Sequence, residues 1–118
     1  MNTPLTRPTL ALDIGGTKIA AGLVDADGVV LHTNRQPTPR STDPEEVWAA
    51  AERTIADALA AAGGEVSGVG ISSAGPISPA EGTISPVNMG AWRGFPVVDR
   101  VSAVVRGVPV RLAGDGLC

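Results

Sequence analysis

Six consecutive residues, Asp13-Ile14-Gly15-Gly16-Thr17-Lys18, put a carboxylate, two glycines, a hydroxyl and an ammonium within one turn of chain. Paired glycines let the backbone turn sharply with its N–H groups aimed outward, and such a concave run of donors binds phosphate oxygens with no side chain in the way. Thr17 adds a hydroxyl donor and Lys18 a point charge, while Asp13 is a hard oxygen anchor for Mg²⁺ and its water shell. The same residues also suit a plain glycine hairpin whose aspartate and threonine merely cap the turn. On spacing alone the two readings stand level, because short motifs recur by chance. Two other nucleotide motifs are excluded. There is no GxxxxGK[ST] loop, and Gly68-Val69-Gly70 meets Ser73 where a GxGxxG fingerprint needs its third glycine, which favours close backbone packing in a central strand. A second aspartate, Asp115, stands between Gly114 and Gly116, and taken alone it reads as a turn residue.

The elements that must position these residues follow from periodicity. Thr9–Ile14 alternates, with Leu10, Leu12 and Ile14 on one face, which is a strand pattern. Ile19–Asp25 resumes an apolar run, Asp27-Gly28 is a two-residue hairpin signal, and Val29–Asn34 completes a third strand. Turns this short leave no room for helices, so the start is an antiparallel meander. Residues 35–42 read as a polar loop. Asp43 then reads as an N-cap, with Pro44 at the first helical position and Glu46 reaching back to the cap. The helix carries Trp48, Ala51, Ile55, Leu59 and Ala62, and Gly63-Gly64 ends it. Val66–Ser72 is a fourth, central strand. Ser73–Gly94 is a long glycine- and proline-rich functional loop with a small hairpin around Glu81-Gly82. Phe95–Arg106 is a second helix and Val108–Leu112 a fifth strand, with Gly114-Asp115-Gly116 at its carboxyl end.

Bulk properties bound the function classes. The 118 residues suit one domain that buries roughly two thirds of its unfolded surface. With 43% apolar and 18% charged residues the chain is globular rather than disordered. Nine basic residues against twelve acidic ones give a net charge of −3 with no basic cluster, so nucleic-acid binding has no electrostatic source. The single cysteine, Cys118, makes no internal disulfide. Met1 to Thr9 lacks the apolar core of a secretory signal, and no stretch approaches the roughly 20 apolar residues of a membrane span. The expectation is a soluble, cytoplasmic protein without membrane contacts. His32, the only histidine, reads as a partly exposed surface residue of the third strand.

Five segments, in order and spacing, resemble the ROK family of sugar kinases and repressors. They are the Asp13–Lys18 turn, Gly68–Ile77, Glu81-Gly82 with Pro86-Val87-Asn88, Trp92, and Gly114-Asp115-Gly116. The resemblance covers residues 10–118 and implies an α/β, ribonuclease-H-like or actin-like ATPase domain. Its five-stranded mixed sheet would have the order 3-2-1-4-5 and be flanked by helices. The implied activity is transfer of the γ-phosphoryl group of ATP to a hexose or amino-sugar hydroxyl, as in a glucokinase, with Mg²⁺ as cofactor. Asp115 matches the family's catalytic aspartate, the base that takes the proton from the attacking sugar hydroxyl. Asp13, Gly15, Gly16, Thr17 and Lys18 match the phosphate motif, while Gly75, Pro76 and Asn88, with Asp115, match sugar-contacting positions. Trp92 matches a tryptophan near the cleft.

Two departures qualify the resemblance. The family usually has asparagine before the catalytic aspartate, and Gly114 supplies no side-chain hydrogen bond to a sugar. The family's second domain, with its adenosine site and zinc-binding cluster, lies beyond Cys118. Residues 1–118 are therefore expected to be the N-terminal domain of a longer protein, inactive until completed by a second lobe; the expected protein partners are that missing lobe or a further copy in a homo-oligomer. Two rivals are a non-catalytic sugar- or partner-binding remnant and a ROK-type sugar-sensing regulator without its DNA-binding domain.

Overall fold

The computed structural model describes residues 7–73, 77–78, 80, 82–84 and 95–114. In chain order they form β1 (Thr9–Ile14), β2 (Lys18–Val24), β3 (Val30–Pro37), α1 (Pro44–Ala61), β4 (Gly68–Ser73), β5 (Ile77–Ser78), β6 (Thr83–Ile84), α2 (Val97–Val104) and β7 (Val110–Gly114). One five-stranded sheet has the order β3-β2-β1-β4-β7, and β5 and β6 form the small hairpin expected around Gly82. Pairs β3·β2 and β2·β1 are antiparallel, whereas β1·β4 and β4·β7 are parallel. Counting only the sheet's own strands, this is the 3-2-1-4-5 order and the mixed α/β architecture expected from the resemblance.

The sheet is two-faced because its strands alternate. Leu10, Leu12 and Ile14 of β1, Ile19, Ala21 and Leu23 of β2, and Val69 and Ile71 of β4 are buried in one cluster. Val47, Ala50, Ala51, Ile55 and Ala58 of α1 complete it, with Val97 and Val101 of α2. Alanines on α1 leave little side chain between helix and sheet, and the one buried hydroxyl there, Thr54, donates to the carbonyl of Ala50 (2.8 Å). The intervening residues, Ala11, Asp13, Ala20, Gly22, Gly70 and Ser72, are half-buried or exposed on the opposite face. A Cβ on Gly68 would stand 3.2 Å from the Pro109 carbonyl oxygen, a tight approach of the kind expected from close backbone packing. Gly70 differs: a Cβ there meets nothing within 4 Å.

Element ends moved where backbone pairing outweighs local signals. β3 runs on to Pro37 because Arg35, Gln36 and Pro37 pair with Ala20, Ile19 and Lys18, and an edge strand needs no apolar outer face. β7 begins at Val110 rather than Val108, since Pro109 has no N–H to donate and instead offers its carbonyl to the N–H of Val69 (2.9 Å). Asp43 caps α1 through the N–H of Glu45 (2.9 Å). Glu46 does not reach back to Asp43. It accepts from the hydroxyl of Ser41, whose oxygen takes the Asp43 N–H instead (3.0 Å). Gly63 and Gly64 close the helix at φ 71° and 88°, with the Gly64 N–H on the carbonyl of Leu59 (2.7 Å). No helix among the described residues is long and apolar enough to cross a membrane.

Besides the burial of Val97 and Val101 and the Val98 N–H on the Gly82 carbonyl (3.2 Å), one arginine ties α2 to α1. Arg100 donates from Nη1 and Nη2 to the two carboxylate oxygens of Glu45 (2.9 and 2.5 Å). Its guanidinium also lies 5.8 Å from the Trp48 ring centre and 5.1 Å from that of Phe95. Phe95 pairs with Ile84 through two backbone bonds, Ile84 N–H to Phe95 (3.0 Å) and Phe95 N–H to Ile84 (2.9 Å), so the clamp reaches the β5–β6 hairpin. The hydrogen bonds from Arg100 hold the Glu45 carboxyl below its usual range, the opposing effect of burial being smaller. A carboxyl whose folded-state value is depressed contributes stability above its unfolded value and loses it as pH falls through the folded one. The melting temperature should therefore fall more steeply on acidification below the ordinary glutamate range in the wild type than in Glu45→Gln. Parallel melting curves for the two would contradict the clamp's charge-assisted character.

Candidate functional site

The parallel strands β1, β4 and β7 end at one level of the sheet. Ile14 pairs with Ser73, and Ser73 with Gly114, so the three carboxyl ends lie side by side. One residue back, Asp13 pairs with Ser72 and Ser72 with Ala113, on the open face. In open α/β sheets such a row of carboxyl ends is where ligands bind. From it the chain leaves β1 into Gly15-Gly16-Thr17.

The turn is built by a narrow hairpin. Gly15 N–H donates to the Lys18 carbonyl (3.0 Å), and a Cβ on Gly15 would stand 2.9 Å from that oxygen, so only glycine fits. Neither Gly15 nor Gly16 has a positive φ; close approach, not a left-handed backbone, is the constraint at Gly15. The loop after β3 fastens the turn from the side: Thr38 Oγ1 donates to the Gly15 carbonyl (2.7 Å) and Thr38 N–H to the Thr17 carbonyl (2.9 Å). With Gly15 N–H occupied, the outward donors reduce to Gly16 and Thr17, whose N–H groups bond to none of the described residues. Thr17 and Lys18 are exposed, and Lys18 makes no ion pair among the described residues.

Asp13 is exposed at the end of β1, and its Oδ1 accepts from the hydroxyl of Ser72 (3.0 Å). The carboxylate, two open N–H groups, a hydroxyl and an ammonium on one edge form a donor set that fits a phosphate, with a hard oxygen for a divalent cation. Asp13, Gly15, Gly16, Thr17 and Lys18 are thus brought together. Gly75, Pro76, Asn88, Trp92 and Asp115 lie outside the described residues. Gly114, which precedes Asp115, lies on the row of strand ends. Ser73 beside it is buried, with a hydroxyl that has no hydrogen-bond partner among the described residues. His32 is half-buried on β3, its Nε2 3.1 Å from the Asn34 amide nitrogen and remote in register from this edge.

Sequence reasoning missed Ser72 and Thr38. Strand alternation alone put Ser72 opposite the buried Ile71, but its pairing with Asp13 depends on a register set by residues 59 positions apart. Thr38 carried no local signal at all.

The ROK family model matches residues 9–118. A glucokinase of Streptomyces coelicolor is 41% identical over 113 residues, covering 91% of this chain and 32% of the relative. An N-acetylmannosamine kinase of Salmonella typhimurium is 36% identical over 110 residues, covering 91% and 35%. Among solved structures, a ROK family glucokinase from Streptomyces griseus in complex with glucose and AMPPNP superposes with a TM-score of 0.71 at 38% identity. The match covers 92% of this chain and 33% of that one. The chain therefore spans about a third of the length of the curated relatives it matches.

The turn's packing can be checked directly. Gly15→Ala forces a Cβ against a backbone oxygen that cannot rotate away and should destabilise the full-length protein by about 1–3 kcal/mol, the range for overpacking. Thr38→Val, which removes one hydrogen bond, should cost about 0.5–1.5 kcal/mol. Urea unfolding midpoints at constant m decide it; an unchanged midpoint for Gly15→Ala would show that the turn does not close as described.

Proposed function

The chain belongs to the ROK family, and from that premise we propose that it is the phosphate- and sugar-approaching domain of an ATP-dependent sugar kinase acting on a hexose or amino-sugar hydroxyl. One observation carries the reading: the register that sets Ile14, Ser73 and Gly114 level. It puts the Asp13–Lys18 turn and the residue preceding Asp115 at the same edge of one rigid sheet. Phosphoryl transfer asks little covalent chemistry of a protein beyond holding donor and acceptor in line near one base.

In this reading the N–H groups of Gly16 and Thr17, with the Lys18 ammonium, hold phosphate oxygens of the nucleotide. Asp13 anchors magnesium through its water shell, and the bound ion would neutralise charge on the transferred group. Asp115 accepts the proton of the attacking sugar hydroxyl, while Gly75, Pro76 and Asn88 contact the sugar. Alignment of the two substrates needs a second lobe such as the length of the relatives that this chain does not span would supply, because a single open lobe forfeits the effective molarity of a closed cleft. Glucose and N-acetylmannosamine, the substrates named by the relatives, are the first sugars to try.

In the full-length protein Asp115→Asn should lower kcat about 10²–10⁴-fold, the share of a general base, with the KM values for ATP and sugar little changed. A coupled ADP-release assay with glucose, mannose, N-acetylmannosamine and N-acetylglucosamine measures it. Undiminished turnover in Asp115→Asn would remove Asp115 from the chemistry. Sugar binding without turnover in the wild type would favour a non-catalytic sugar-binding role.

A further inference from the structure

One register row behind the strand ends reads Arg35, Ala20, Asp13, Ser72, Ala113 from edge to edge, and Ala20, Asp13 and Ser72 in it lie on the open face of the sheet. Asp13 has one lateral neighbour without a polar group, Ala20, and one with a hydroxyl, Ser72. On the far side of Ser72 the register partner is Ala113, a residue type without a side-chain acceptor. Lys18, the nearest cation in sequence, makes no ion pair with Asp13. Among the described residues Ser72 is thus the sole side chain bonded to the Asp13 carboxylate, at 3.0 Å on Oδ1.

An ionised aspartate only accepts, so the hydroxyl of Ser72 is the donor, in a charge-assisted bond. An exposed aspartate at a strand end otherwise rotates about two side-chain torsions, and ordering it costs rotamer freedom each time a ligand binds. A hydroxyl on the adjacent, hydrogen-bonded strand removes that freedom in advance. It occupies Oδ1 and leaves Oδ2 without a bond to any described residue.

We propose that Ser72 is a positioning residue that pre-orients Asp13 for the metal–phosphate group. The inference rests on the reading of Asp13 given under the proposed function. It assigns Ser72 no contact with substrate: the effect passes through Asp13 alone. Ser72 therefore acts on affinity for the divalent cation and on kcat, and leaves the KM for the sugar in place.

The test uses the full-length protein and Mn²⁺ as the probe, titrated by electron paramagnetic resonance in the presence of AMPPNP. Ser72→Ala should weaken Mn²⁺ binding about three- to tenfold, the scale of one half-exposed charge-assisted hydrogen bond, while Ser72→Thr, which keeps the hydroxyl, should restore it. In an Asp13→Ala background Ser72→Ala should have no further effect on the residual binding, since coupled residues are not additive. Equal Mn²⁺ affinity in wild type and Ser72→Ala, with Asp13→Ala weakened, would overturn the role of Ser72 alone. Additive losses in the double variant would reduce Ser72 to general packing and overturn it as well. Unweakened binding in Asp13→Ala would overturn the reading of Asp13 itself, and this inference with it.

Discussion

Strands that run parallel cannot be joined by a tight turn; they need a crossover, and when that crossover is a packed helix the strands' carboxyl ends come to lie on the same edge. Here α1 makes the crossover from the meander to β4, and α2 that from the hairpin to β7. Both helices are buried against the same sheet face through Ala50, Ala51, Ile55, Val97 and Val101. The pairing Ile14–Ser73–Gly114 is the outcome, and the rest of the candidate site hangs on it. A one-residue slip of β4 would exchange Ser72 for Ile71 or Ser73 beside Asp13 and expose the core face of the strand, a penalty that holds the register.

Burial thus does two things at once. The alternating apolar residues of β1, β2 and β4 secure one face, and the same alternation delivers Asp13 and Ser72 to the other. The small residues Ala11, Ala20 and Gly70 keep that second face low around the carboxylate. The turn beyond β1 is fastened by Thr38, and Ile84 of β6 is paired with Phe95, over which Arg100 lies.

Much of this was legible from local pattern. β1 was found to the residue, because its alternation and the glycines after it are both strong signals. The Asp43 cap and the hairpin at Gly82 were legible for the same reason: their chemistry is contained in a few consecutive residues. The extension of β3 through Arg35 and Gln36 was hidden, since an exposed edge strand needs no apolar pattern and its hydrogen bonds come from β2. Glu46 was expected at the cap, but Ser41 competes for it from outside the helix. In the site the composition of the turn was legible and its wiring was not. That Gly15 spends its N–H on Lys18, that Thr38 holds its carbonyl and that Ser72 holds Asp13 all depend on pairings made across the sheet or between separate strands. The resemblance to a family added the order of the strands, which periodicity alone does not determine.

The central proposal is that the turn after β1 offers a phosphate two backbone donors, Gly16 and Thr17, that bond to none of the described residues. Amide chemical shifts of the full-length protein, followed by NMR as Mg·AMPPNP is added, test it most directly. The account predicts large shifts at Gly16 and Thr17 and a smaller one at Gly15, whose N–H already serves the Lys18 carbonyl. Shifts confined to residues away from the Asp13–Lys18 turn would contradict it and return the turn to a structural hairpin.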